Sequence, residues 1–136
     1  AELERIPNGM TASAARLAQR FWPGALTLVG AAHPDLPANL SPLPTVGVRM
    51  PDHPQALALL KLSGPLAVTS ANLSGAANTV SAQEVFDQIG ALIPLILDGG
   101  KTPGGAPSTV VDCTTEPVKI LRAGPISAEQ IAAALA

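Results

Sequence analysis

The sequence predicts a single α/β domain spanning residues 1–136, with a mixed sheet and flanking helices. Three observations lead there. Short β-branched or leucine-rich runs alternate with amphipathic helical segments. Several helical segments open on a capping signal. The stretch from Leu95 to Leu121 carries strand patterns with no helix between them, which an all-parallel sheet would need. With 136 residues, 47% of them apolar and 13% charged, the chain is long and apolar enough to bury a core.

Taken in order, the first helix covers Thr11 to Phe21, where Ala14, Leu17, Ala18 and Phe21 share one face. Two strand patterns follow, ALTLVGA (Ala25 to Ala31) and TVGVRM (Thr45 to Met50). Asp52 to Gln55 has capping-box spacing ahead of the apolar run ALALLKL, so a second helix starts there. PLAVTS (Pro65 to Ser70) reads as a strand. Ser81 to Glu84 caps a third helix through VFDQIG. PLILDG (Pro94 to Gly99), STVVDC (Ser108 to Cys113) and VKILRAG (Val118 to Gly124) each read as strands bounded by Pro, Gly or Asp. Ser127 to Gln130 then caps a last helix. Apolar residues on consecutive positions suit strands covered on both faces.

Composition narrows the function classes. A net charge of −2 gives no basic footprint for nucleic-acid binding, and there are only three aromatic residues on which bases could stack. One cysteine, Cys113, and two histidines in unrelated contexts, His33 and His53, argue against a disulfide framework and against a metal site built from side chains. No apolar run approaches the roughly 18 residues of a membrane span, and no basic stretch leads into an apolar one as in a signal peptide. A cytoplasmic location is expected.

Among candidate chemical groups, GGKT (Gly99 to Thr102) invites a P-loop reading, but the spacing refuses it. The position that should hold the first glycine is Leu95, and Pro103 stands where a long helix should open. What remains of DGGKTPGGAPST (Asp98 to Thr109) is a loop rich in backbone amides, suited either to anion binding or to a plain surface connection. In RFWPGALT, Pro23-Gly24 suits a turn with positive φ at the glycine, and Trp22 suits the core beside it. Asp112, Glu116 and Lys119 suit a solvated hairpin; Asp98 and Asp112 need not act as an acid–base pair. Arg49 and Arg122 each end a strand, suited to ion pairing or to an anionic ligand. The stretch TSANLSG (Thr69 to Gly75) closes a strand pattern with hydroxyls and an amide and no charge. Ser70 and Asn72 could hold a ligand at a strand's carboxyl end, or merely satisfy their own backbone. No base lies near Ser70 in sequence, so a nucleophilic role is not supported.

RFWPGALT, TVGVRMPDHP, PLAVTSANLSG, GGKTPGGAPSTVVD and ILRAGPIS, in this order and spacing, resemble the YrdC/TsaC family of threonylcarbamoyl-AMP synthases from about Arg20 onward. The resemblance implies a YrdC-like twisted mixed sheet around a concave cavity. It implies a nucleotidyltransferase joining L-threonine, bicarbonate and ATP, with Mg2+, into threonylcarbamoyl-AMP and pyrophosphate. Partner proteins would then transfer the threonylcarbamoyl group to tRNA. Carried over position by position, Ser70 and Asn72 would contact the nucleotide, and Thr27 and Arg122 would line the ATP side, with Arg122 as the catalytic cation. Ser108 and Thr109 would lie in the cavity, Thr109 near the threonine. No protein-made metal site is implied. The family's Lys-x-Arg motif has no match before Arg20, so the chain is expected to correspond to the C-terminal two thirds of the domain, with little activity alone. A non-catalytic RNA-binding or interaction paralogue of the same fold is the alternative.

Overall fold

The computed structural model describes residues 9–37, 39–102 and 106–136. The chain divides into two compact units: one runs up to Leu66 and resumes over Pro107–Ala136, the other is Ala67–Ala106.

The first unit holds the sheet. Helix α1 (Ala12–Phe21) starts on Thr11, whose hydroxyl accepts from the Ala14 amide at 3.1 Å. Strands β1 (Leu26–Ala31) and β2 (Thr45–Val48) follow, then helix α2 (Pro54–Ser63). After the second unit come β3 (Thr109–Asp112), β4 (Lys119–Arg122) and helix α4 (Ala128–Leu135). The sheet order is β2-β1-β3-β4. β1 and β3 run parallel and the two outer pairings are antiparallel, so the sheet is mixed, as the sequence predicts.

Alternation along β1 and β3 decides which face is buried. Leu26, Leu28, Thr109 and Val111 turn to one side and are buried there together with Ala14 and Leu17 of α1 and Ile131 of α4. Fully burying a leucine or valine stabilises by about 1.5–3 kcal/mol, so these few residues dominate the unit's cohesion. Helix α4 opens on a complete capping box, with Ser127 Oγ accepting from the Gln130 amide and Gln130 Oε1 accepting from the Ser127 amide. Arg16 ties α1 to the end of α4 by donating to the Leu135 carbonyl at 3.2 Å.

Two local expectations are corrected in this unit. Gly24 does not have the positive φ expected of it. Glycine is required there because a β-carbon would run into the Phe21 carbonyl oxygen. The cap of α2 is His53, without a side-chain bond, rather than Asp52. Pro54 at the first helical position pre-sets φ and needs no amide partner, which starts the helix one residue later than the capping pattern suggests. Trp22 packs against the core as expected, its Nε1 donating to the Leu26 carbonyl at 2.7 Å. Arg49 donates Nε to the Gly24 carbonyl at 2.8 Å, a bond to backbone in place of an ion pair.

In the second unit, α3 (Ala82–Ile89) begins on Ser81, whose hydroxyl accepts from Glu84 N. Glu84 Oε2 reaches one residue further back than a capping box, accepting from the Val80 amide at 2.8 Å. A 3-10 turn, Gly90–Leu92, follows. The strands expected at PLAVTS and PLILDG are absent among the described residues. Leu66 and Val68, and likewise Leu95 and Leu97, stand exposed. A strand needs a partner to receive its N–H and C=O groups, and an apolar run supplies only the side chains. The loop expected to form an anion nest lies partly outside the described residues, since it includes 103–105.

Candidate functional site

In the first unit, the sheet face opposite the core carries Thr27 and Val29 from β1 and Val110 and Asp112 from β3. All four are half-buried, in contrast to the closed face behind them. Gly47, opposite Val29 on β2, adds no side chain above Thr27; a β-carbon there would come to 3.2 Å of Thr27 Cγ2. Arg122 stands at the end of β4, paired with Val110. Two of the residues expected to form the site, Thr27 and Arg122, therefore meet at one end of this sheet.

Ser108 joins them. Its carbonyl accepts from Arg122 Nε and its Oγ accepts from Arg122 Nη2, both at 3.1 Å. Its Oγ also lies 2.8 Å from Thr27 Oγ1. Ser108 is 6% exposed, whereas Thr27 is half-buried and Arg122 exposed. Ser108 Oγ thus stands between two partners, the Arg122 guanidinium and the Thr27 hydroxyl, and either hydroxyl of the Ser108–Thr27 pair can donate. The result is a bonded chain, Arg122 to Ser108 to Thr27, ending in a half-buried hydroxyl. Arg122 has two of its five N–H groups engaged among the described residues, so three remain for an anion.

Thr109 is placed differently from the other three. It is fully buried on the core face, and its hydroxyl both donates to the Ile126 carbonyl (2.8 Å) and accepts from the Ile126 amide (3.0 Å). Its side chain is thus closed to a ligand, and it acts by fixing Ser108 next to it. The reason is parity: neighbouring residues on an extended segment point to opposite faces. Nothing in the sequence marked Ile126 as a partner, since it contributes only backbone.

Ser70 and Asn72 belong to the second unit. Asn72 donates both amide protons to backbone, to the Leu73 and Ala76 carbonyls at 3.0 Å each. Ala76 N closes the turn on the Leu73 carbonyl, and Gly75 sits at φ +81°, a conformation glycine adopts without strain. Asn72 Oδ1 and Ser70 Oγ accept or donate no bond among the described residues. Gln88 of α3 braces the loop, accepting from Leu73 N at 3.1 Å and donating to the Ala77 carbonyl at 3.3 Å. Thr79 donates to the Ala71 carbonyl. The sequence reading missed Gln88 and Thr79; both sit at positions where a polar residue is unremarkable.

The acidic residues serve turns. Asp98 Oδ1 accepts from Gly100 N at 2.9 Å. Asp112 Oδ1 accepts from the Thr114 hydroxyl (2.6 Å) and amide (2.8 Å), and these two bonds hold its carboxyl below the usual aspartate value. His33 caps a turn, its Nδ1 accepting from Asp35 N. Cys113 is buried, and burial, then the negative charges of Asp112 and Glu116, push its thiol up to about 11. Among the described residues no three His, Cys, Asp or Glu side chains cluster to hold a metal, so no protein-made cage for Mg2+ exists there. Nor is any helix among them long and apolar enough to cross a membrane.

The chain is similar in sequence and fold to several known proteins. The family model for the Sua5/YciO/YrdC domain, described as telomere recombination, matches residues 1–124. The threonylcarbamoyl-AMP synthase of Bacillus subtilis is 44% identical over 98% of this chain, which spans 40% of that protein. A putative threonylcarbamoyl-AMP synthase of Mycobacterium tuberculosis is 42% identical over 98% of the chain and is 62% covered. Among solved structures, P. abyssi Sua5 complexed with L-threonine superimposes with a TM-score of 0.92 at 41% identity, covering 98% of this chain and 40% of that one. E. coli YciO follows with a TM-score of 0.84 at 29% identity, over 96% of this chain and 64% of that one. The chain thus spans about two fifths to two thirds of the length of these relatives. With most of its length matched by the family model and the fold shared, the chain belongs to the Sua5/YciO/YrdC family.

Proposed function

We propose that this chain forms the nucleotide- and carbamate-handling part of an L-threonylcarbamoyladenylate synthase. The observation that carries the reading is the Arg122–Ser108–Thr27 chain at the open end of the sheet, a cation and a pair of bonded hydroxyls beside one another. The names of the B. subtilis and M. tuberculosis relatives, and the threonine bound to P. abyssi Sua5, support the same chemistry.

In this reading the threonine amine and bicarbonate give the N-carboxylated amino acid and water. A carboxylate oxygen of that anion attacks the α-phosphorus of ATP, the bond to the β-phosphate breaks, and pyrophosphate leaves. Two anions must approach each other, so the barrier is largely electrostatic. Arg122 supplies fixed positive charge with N–H donors, and Thr27 donates its proton to a phosphate or carboxylate oxygen. Ser108 aligns both, and Thr109 holds Ser108 from the core side. Ser70 and the Asn72 carbonyl oxygen offer uncharged contacts suited to a base or ribose. Magnesium commonly arrives on the nucleotide phosphates and keeps several waters. The product would pass to proteins that transfer the threonylcarbamoyl group to tRNA, in the cytoplasm.

The test is incorporation of labelled bicarbonate into a nucleotide product with L-threonine, ATP and Mg2+, alongside calorimetric titration of ATP. Threonine-dependent label in an adenylate, lost in Arg122→Ala, is expected. An absence of both product and ATP binding overturns the reading.

A further inference from the structure

From the close approach of two backbone segments, we infer that Gly124 is a positioning residue that sets Arg122 for its anionic ligand. The inference rests on the reading of Arg122 as the cation of the nucleotide site. Gly124 follows β4 by two residues, and its φ is not positive, so glycine is not there for a left-handed turn. It is there for space. A β-carbon would lie 2.6 Å from the Pro107 carbonyl oxygen and 2.7 Å from Ser108 C, and nearer still to Thr109 N. All three are backbone atoms at the entrance of β3, and none can swing aside as a side chain could.

The consequence is local and geometric. Residues 122–126 grip residues 107–109 at three levels: Arg122 on the Ser108 carbonyl and hydroxyl, Gly124 in bare backbone contact, and Ile126 on the Thr109 hydroxyl. From the other side Ser108 and Thr109 are held at the start of β1, where the carbonyl of Ala25, just ahead of the strand, accepts from Thr109 N at 3.0 Å and Thr27 meets Ser108. At Gly124 the two segments leave no room for a β-carbon. A methyl group there forces the segments apart, and the 3.1 Å bonds of Arg122 lengthen first, because they depend on the placement of a long side chain. Arg122 then presents its remaining donors from a looser, more varied position. A guanidinium fixed before its ligand arrives binds better than one that must be ordered by it.

The experiment has a ligand-free arm and a binding arm. In the wild-type chain, NMR should find the Arg122 Nε–H slow to exchange and shifted from the free value; exchange at the free rate overturns the proposal, whatever any variant does. In Gly124→Ala that protection should be lost while circular dichroism stays unchanged, and ATP should bind about ten-fold more weakly. The effect on ATP should largely vanish when Gly124→Ala is combined with Arg122→Ala, because a residue acting through Arg122 has nothing left to position. Additive losses, or unchanged Nε–H exchange and ATP affinity in Gly124→Ala, overturn the proposal. If the wild-type chain binds no ATP, the functional reading fails, while the Nε–H measurement still decides whether Gly124 positions Arg122.

Discussion

Replacing Thr109 by valine removes one hydroxyl from a fully buried site and leaves the shape almost unchanged. The hydroxyl bonds Ile126 twice, as donor at 2.8 Å and acceptor at 3.0 Å. Valine therefore strands one partly buried amide and one carbonyl, at about 1–2 kcal/mol each. The added methyl, on a residue with no exposed surface, returns up to about 0.8 kcal/mol. The net loss is about 1–3 kcal/mol. For a chain of this length, about 3–4 °C of Tm accompanies each kcal/mol, so the midpoint should fall by about 3–12 °C. Urea unfolding followed by fluorescence of Trp22, the one tryptophan in the sequence, reports on this unit, because Trp22 packs against its core. An unchanged slope with a lower midpoint is expected. A shift below about 0.5 kcal/mol would refute the claim that the Ile126 bonds hold Thr109, and with it the account of how Ser108 is fixed.

Cys113 should resist thiol reagents at pH 8 in the folded chain and react once urea unfolds it, because its thiol is buried and its pKa raised from 9.0 to about 11. A folded pKa above the unfolded one gives a contribution present below pH 9.0 and lost as pH rises towards about 11. Stability should therefore drop across that window, and Cys113→Ala should flatten the drop; an equal alkaline slope in both would refute it. Ser127→Ala breaks the capping box of α4 and should cost about 1 kcal/mol in the same urea assay, with Ser127→Thr keeping most of it. Equal midpoints for the three chains would show that the cap does not hold Ile131 in the core.

How far the sequence carries depends on the range of the interaction. Helix starts depend on neighbours three or four residues away, so Ser81 and Ser127 were legible as caps from spacing alone. The α2 start was misplaced only because the fixed φ of Pro54 prevailed over the Asp52 pattern. The strand patterns at Ala25–Ala31, Thr45–Met50, Ser108–Cys113 and Val118–Gly124 became the somewhat shorter strands Leu26–Ala31, Thr45–Val48, Thr109–Asp112 and Lys119–Arg122, since each found a neighbour to bond. The same local pattern at 65–70 and 94–99 did not, because pairing is a property of two segments at once.

The candidate site divides in the same way. Residue order, through the family resemblance it carries, singled out Thr27, Ser70, Asn72, Ser108, Thr109 and Arg122 as candidate groups. Tertiary structure alone decided where each of them stands and what it bonds. It brought Ser108 to Thr27 across 81 positions of sequence, and it closed the Thr109 hydroxyl onto Ile126. It also gave Gly124 its importance, through contact with backbone atoms about fifteen residues earlier. Spacing along the chain encodes periodicity and capping, which are local. Hydrogen-bond direction, burial and close approach arise only when distant segments share a surface, and for this chain that surface is one end of a four-stranded sheet.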